Sequence, residues 1–392
     1  MILPVENEII KLPDMKRIIN LLPVFILTLM IYMMSSCAIN VAEKEDTLKD
    51  ALEGKFYMGA ALSDHQIMGR DSLSIELVKK HFNSIVAENC MKSERIHPVE
   101  GQFRYELPDL FVEFGEQNNM HIVGHTLIWH SQAPKWFFVD ENGQDVSREV
   151  LIERMRYHIS NVVGRYKGRV HGWDVVNEAI EGDGSWRKSK FYEIIGEDFV
   201  DLAFQFASEA DPDAELYYND YGMASPGRRQ GVVNMVKNLQ GKGIKIDGIG
   251  MQGHLNLDGL NLDEFEKSIV AFSELGVKVM ITEFDLTILP FPGQDVTADV
   301  GLKAEYEARM NPYADGFTDE ILAEWNQACA DIFRVFLKHQ DKITRVTTWG
   351  VTDNHSWKNN WPIRGRTDYP LLFDRDYQPK PVVQTIIEEA KR

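Results

Sequence analysis

Cysteine is nearly absent: 392 residues hold three, Cys37, Cys90 and Cys329. That is too few for a disulfide framework, and none stand at the CxxC spacing of a zinc site. Cys90 and Cys329 fall in apolar patterns, which suits buried free thiols acting as small hydrophobes, with a bond between them as the alternative. Positive charge is scarce as well. Against 60 acidic residues stand 42 basic ones, for a formal net charge of −18. Clustered Lys and Arg are what a phosphate backbone needs, so nucleic acid is set aside as a partner. An uncharged polymer tolerates an acidic surface. Internal repeats and low-complexity linkers are lacking, and neither HExxH nor a carboxylate-rich loop accompanies His125 and His130, so no metal is expected.

No apolar run reaches the usual length of a spanning helix either. The apolar run over 18–34 is on the short side for the roughly 20 residues that cross a bilayer, and it contains Pro23. Lys16 and Arg17 precede it and Ser35, Ser36 and Cys37 follow, giving the charged, hydrophobic and small-residue regions of a secretory signal. Met34, Ser35, Ser36 and Cys37 further resemble the lipobox of bacterial lipoproteins, in which the cysteine is lipidated and becomes the new N-terminus. An ordinary signal peptide or a membrane anchor is the alternative. The expected organisation is an extension and signal over 1–36, an acidic tether over 37–54, and one folded domain over 55–392. Export to the cell envelope follows, with membrane contact only through Cys37.

What is present is an alternation. Strand-like runs at 56–62, 84–88, 121–127, 171–180, 214–218, 247–251, 277–286 and 345–349 are separated by helical patterns. Leu73, Leu77 and His81 suggest one face of a helix over 73–82. Ser147 reads as an N-cap before Leu151, Met155, Ile159, Val162 and Tyr166, and 191–210 reads as one long amphipathic helix. A connection over 287–317 follows the seventh strand, either covering a site there or forming a surface excursion. Eight strand-then-helix units point to α/β class, a single (β/α)8 barrel, whose chemistry sits at C-terminal strand ends.

Two strand ends carry glutamate. HGWDVVNEAI delivers Asn177 and Glu178; VKVMITEFDL delivers Glu283, with Asp285 two places on. A buried glutamate can simply pair with an arginine. Two of them at strand ends among aromatics are what a retaining glycosidase requires, one as proton donor and one as nucleophile, with carboxyls roughly 5 to 5.5 Å apart. The acid needs a raised pKa and the nucleophile an ionised form, so donors should surround Glu283. Other strand ends offer His125, Trp129 and His130; Tyr218, Asn219, Asp220 and Tyr221; Gln252 and His254; Trp349 and Trp357. Neutral donors and acceptors suit sugar hydroxyls, and aromatic faces suit the C–H faces of pyranose rings.

The stretches WDVVNEAI, ITEFDL, GHTLIWHSQAP, ENCMK, LYYNDYG, GIGMQGHL and TTWGVTDNHSW together resemble glycoside hydrolase family 10, chiefly retaining endo-β-1,4-xylanases on a (β/α)8 barrel. The resemblance implies Glu178 as acid/base, Glu283 as nucleophile, and Asn177 on the 2-hydroxyl of the sugar being cleaved. It places Lys92, His125, Trp129, Gln252, His254 and Trp349 around that sugar. Glu88, Asn89 and Trp357 fall on its neighbour toward the non-reducing end. Tyr221 joins the substrate-binding set. Ser93 and Phe284 depart from the usual pattern. Xylan or xylo-oligosaccharide is the implied substrate, without a cofactor, for a chain expected to act as a monomer. A cellulase or mannanase on the same fold, and a protein that only captures glycan, are the competing readings.

Overall fold

Nine short runs, mostly buried in all but one, form strands in the computed structural model, which describes residues 46–290, 309–361 and 363–392. They are β1 (Tyr57–Leu62), β2 (Ser84–Ala87), β3 (His121–Trp129), β4 (Gly172–Asn177), β5 (Glu215–Asp220), β6 (Gly248–Met251), β7 (His254–Asn256), β8 (Lys278–Thr287) and β9 (Ile343–Thr348). Every pairing is parallel. Neighbours run from β6 back through β1 to β9 and β8, and β6 pairs with β8 to close the circle. Eight strands therefore make a closed barrel with helices outside it, a single (β/α)8 fold. Their burial on both faces follows from that wrapping.

Apolar side chains divide between two places. Most lie between the strands and the outer helices, while Ala61, Val86, Val123, Tyr217, Met280 and Trp349 form a small separate cluster. Close approach at Tyr217 explains one glycine. A Cβ on Gly172 would stand 2.4 Å from the Tyr217 hydroxyl, so the ring fits only because β4 opens with no side chain there.

Three expectations need correction. The tether does not reach residue 54: Thr47 caps a helix, Leu48–Ala51, and Leu48 and Leu52 are fully buried. That helix packs against Ser72–His81 and Pro381–Ala390. Its acidic surroundings had concealed two leucines that belong to the core. The helix expected over 73–82 buries His81 as its pattern suggests, but Ser74 and Val78 join it and Leu73 is left 58% exposed. Asp71 accepts from the Ser74 amide and fixes a phase in which Val78 is fully buried while Leu77 packs at the edge of the core, partly buried. The long helix over 191–210 is two, Lys190–Ile195 and Phe199–Ala210, because Gly196 between them sits at φ +98.

The short strand β7 was not expected either. It pairs only with the outer half of β8, His254 opposite Asp285, after the chain turns at Gly253. Cys90 and Cys329 are buried free thiols. The signal, Cys37 and most of the 287–317 connection lie outside the described residues.

Candidate active site

Register brings the polar strand ends together. Asn177 on β4 lies opposite Asn219 on β5; the Glu178 amide donates to the Asn219 carbonyl at 2.9 Å, and the Glu283 amide to the Gln252 carbonyl at 2.7 Å. Side chains then connect the two carboxylates. Asn219 Nδ2 donates to Glu283 Oε1 at 2.7 Å and to Asn177 Oδ1 at 3.0 Å. Gln252 Nε2 donates to Glu178 Oε1 at 3.0 Å and to Asn177 Oδ1 at 3.3 Å. Trp129 Nε1 reaches Glu178 Oε2 at 2.9 Å. One amide chain spans from Glu178 to Glu283.

The two carboxylates have different neighbours. Glu283 accepts from His254 Nε2 at 3.2 Å, and His254 Nδ1 lies 2.8 Å from Asp285 Oδ2. Burial alone would lower the His254 pKa, but the charges and hydrogen bonds of Asp285 and Glu283 carry it up to about 9. Burial works to raise Glu283, yet the His254 hydrogen bond, the His125 and His254 charges and Asn219 outweigh it and hold the carboxyl below its ordinary range. Trp357 Nε1 donates to Asp285 at 2.9 Å, and Lys358 stands 3.4 Å from its other oxygen. Glu178 has Trp129, Gln252 and, at 4.0 Å, His130.

Glu178 also has a left-handed backbone, φ +60, uncommon for a side chain of this size. A buried support stands behind it. The Tyr218 hydroxyl accepts from the Ala179 and Ile180 amides and donates to Asp220, while Arg228 Nε donates to the Ile180 carbonyl. Burial pushes Asp220 up to about 7 against the pull of Arg228. Tyr218 and Asp220, read from sequence as sugar-facing, are thus wholly buried props. Their period-two spacing puts both on the outward face of β5, while Asn219 between them is directed inward.

The expected binding residues line one cleft of about 580 Å³ with the two glutamates. Glu88, Asn89 and Lys92 come from the end of β2. Lys92 Nζ donates to Asn89 and to Gln132, each at 3.0 Å, and lies over the Trp129 ring. Burial lowers the Lys92 pKa, opposed by Glu283, Glu88 and Glu178; burial raises that of Glu88, opposed by Lys92. His125 holds Asp174 at 2.9 Å and sets its ring edge-on to Trp349. Asn177, Gln252, His254, Trp349 and Trp357 face the same space, and Tyr221 stands on the outer wall, where its hydroxyl accepts from Arg187. Ser93 needs no bulk, since its hydroxyl donates to the Leu127 carbonyl at 2.7 Å beneath the cleft. Phe284 points the other way, onto Phe333 and Phe336.

Sequence reading missed Gln132, Lys358 and Trp361, which also line the cleft. All three come from loops after strands, where no hydrophobic periodicity marks direction.

Comparison with known proteins identifies the family. The model for glycosyl hydrolase family 10 matches residues 47–389. Endo-1,4-beta-xylanase A of Xylanibacter ruminicola is 49% identical over 348 residues, covering 89% of this chain and 94% of that one. An endo-1,4-beta-xylanase of Geobacillus stearothermophilus is 39% identical over 343 residues, 87% of this chain and 98% of the other. Among solved structures, a GH10 endoxylanase retrieved from a sugarcane soil metagenome superposes with a TM-score of 0.83 at 44% identity, covering 88% of this chain and 99% of its own.

Proposed function

This chain belongs to glycosyl hydrolase family 10, and from that premise we propose that it is a retaining endo-β-1,4-xylanase cutting internal bonds of xylan and xylo-oligosaccharides. The observation that carries the chemistry is the unequal setting of two strand-end carboxylates joined through Asn177, Asn219 and Gln252. Glu283, kept ionised by His254 and Asn219, attacks the anomeric carbon while Glu178 protonates the departing glycosidic oxygen. Glu178 then takes a proton from water, which releases the sugar with its β configuration retained. Asn177, fixed between two other amides, is placed to hold the 2-hydroxyl, a contact that strengthens as positive charge develops on the ring.

Supporting the substrate assignment are the neutral hydrogen-bonding groups and indole faces of the cleft and the xylanase names of the relatives. The reaction calls for no cofactor, and the protein acts as a monomer. The test is reducing-sugar release from xylan and from carboxymethyl-cellulose in parallel, with Glu178→Gln as control. Release from xylan, lost in the variant, is expected. Release from cellulose instead overturns the substrate, and no release from either favours glycan capture. We further propose that the chain is exported and lipidated at Cys37. A mature mass beginning at Ser36 or earlier would sink that idea.

A further inference from the structure

Trp361 takes no part in the chemistry above, yet it lines the same cleft beside Trp357 and Lys358. Its indole centroid lies 5.4 Å from that of Trp357 with the planes 35° apart. The two rings are 39% and 37% exposed. Trp357 is in turn 5.2 Å from His254, the residue that holds Glu283. Aromatic surface therefore continues from the nucleophile outward, one ring beyond the residue placed at the neighbouring sugar. Single exposed apolar side chains are ordinary, whereas adjacent exposed indoles in a cleft form a contiguous apolar face.

The loop that carries Trp361 is built to hold it still. Asn360, at φ +62, donates its amide to the Arg366 carbonyl at 2.8 Å and accepts from the Gly365 amide at 3.0 Å. Asn359 donates to the Asp353 and Asn354 carbonyls and accepts from the Asp368 amide and Arg375. A ring fixed in advance loses little freedom when a ligand arrives. Lys358, which lies over the Trp357 ring, already faces Asp285 at 3.4 Å, so the wall suits a neutral ligand more than an anion.

We propose that Trp361 is the platform of an additional sugar subsite, one position further along the chain than that of Trp357, taking the C–H face of a β-1,4-linked pyranose. The step between the two ring centroids is comparable to the advance of one sugar along an extended β-1,4 chain. This rests on the xylanase reading, and its consequence is that the enzyme measures the length of what it binds.

The experiment compares kcat/KM for xylotriose through xylohexaose in the wild type, Trp361→Ala, Trp361→Leu and Trp361→Phe. The preference for the longer substrates falls about three- to tenfold in the Ala and Leu variants, the range expected for losing one aromatic contact, and is largely kept with Phe. An unchanged preference in all three overturns the subsite. So does a uniform loss at every length with Phe no better than Ala, which marks Trp361 as a structural residue. A wild type that cleaves none of these oligosaccharides overturns the substrate reading beneath the proposal instead.

Discussion

Glu178 is held in a costly backbone conformation by groups that never meet the substrate. A left-handed φ on such a residue costs on the order of 1–3 kcal/mol, and it persists because Tyr218, Asp220 and Arg228 pin the next two residues. The strain aims the carboxyl. Glu178→Gln keeps the shape but carries no proton to give, so its effect should depend on the leaving group. Hydrolysis of xylan should fall by about 10²–10⁴, while an aryl xylobioside with an acidic phenol, which leaves unaided, should lose far less in its first step. Equal losses on both substrates would remove Glu178 from the acid role. His254 offers a second test. Without its charge and hydrogen bond, burial dominates at Glu283 and the carboxyl pKa rises. In His254→Gln the acid limb of the kcat/KM profile should therefore move to higher pH. A limb that stays in place, or moves down, would contradict the electrostatic account.

Gly196 shows how one position decides an element. At φ +98 and ψ −172 it occupies backbone space that is essentially reserved for glycine, and it separates Lys190–Ile195 from Phe199–Ala210. Gly196→Ala should lower stability by about 1–3 kcal/mol, read as a drop in Tm, while specific activity of the folded fraction stays unchanged because the break lies away from the cleft. A rise in Tm would mean that the two helices prefer to merge. Periodicity had suggested one helix here, since Phe191, Ile195, Phe199 and Ala203 keep nearly even spacing through the break. The eight barrel strands were legible because each is a run buried on both faces, and the glutamates were legible because such runs ended in charge. Direction in loops was not. Trp361 looks in sequence like any tryptophan before a proline, and the three-residue β7 is too short for alternation to register. Leu48 and Leu52 were missed for want of a third apolar partner nearby in sequence, their partners lying in Ser72–His81 and, at the far end of the chain, Pro381–Ala390.

Across the molecule, acid should act through buried imidazoles. His158 is fully enclosed, 3.2 Å from the His97 ring, and burial with that neighbour brings its pKa down to about 3 from 6.5. The unfolded chain takes up this proton below pH 6.5 and the folded one only near pH 3, so stability is present above 6.5 and lost as pH falls through that window. At pH 5 the loss is about 2 kcal/mol. Asp220 and Asp353, raised by burial to about 7 and about 6, bind protons in the folded state first and work in the opposite direction. A substitution separates them. The stability gap between wild type and His158→Leu should narrow from pH 7 to pH 5, and a gap that stays constant would exclude His158 as the source.

Both ends of the barrel domain meet at one place. Lys391 pairs with Asp46, and the helices Leu48–Ala51 and Pro381–Ala390 pack together where the strands begin. The cleft opens where the strands end. A linkage made at Asp46 or Lys391 would thus sit at the back of the barrel, away from the cutting edge. A polymer too large to be engulfed meets the cleft from the opposite side, so a handle on either end of the domain leaves that approach open.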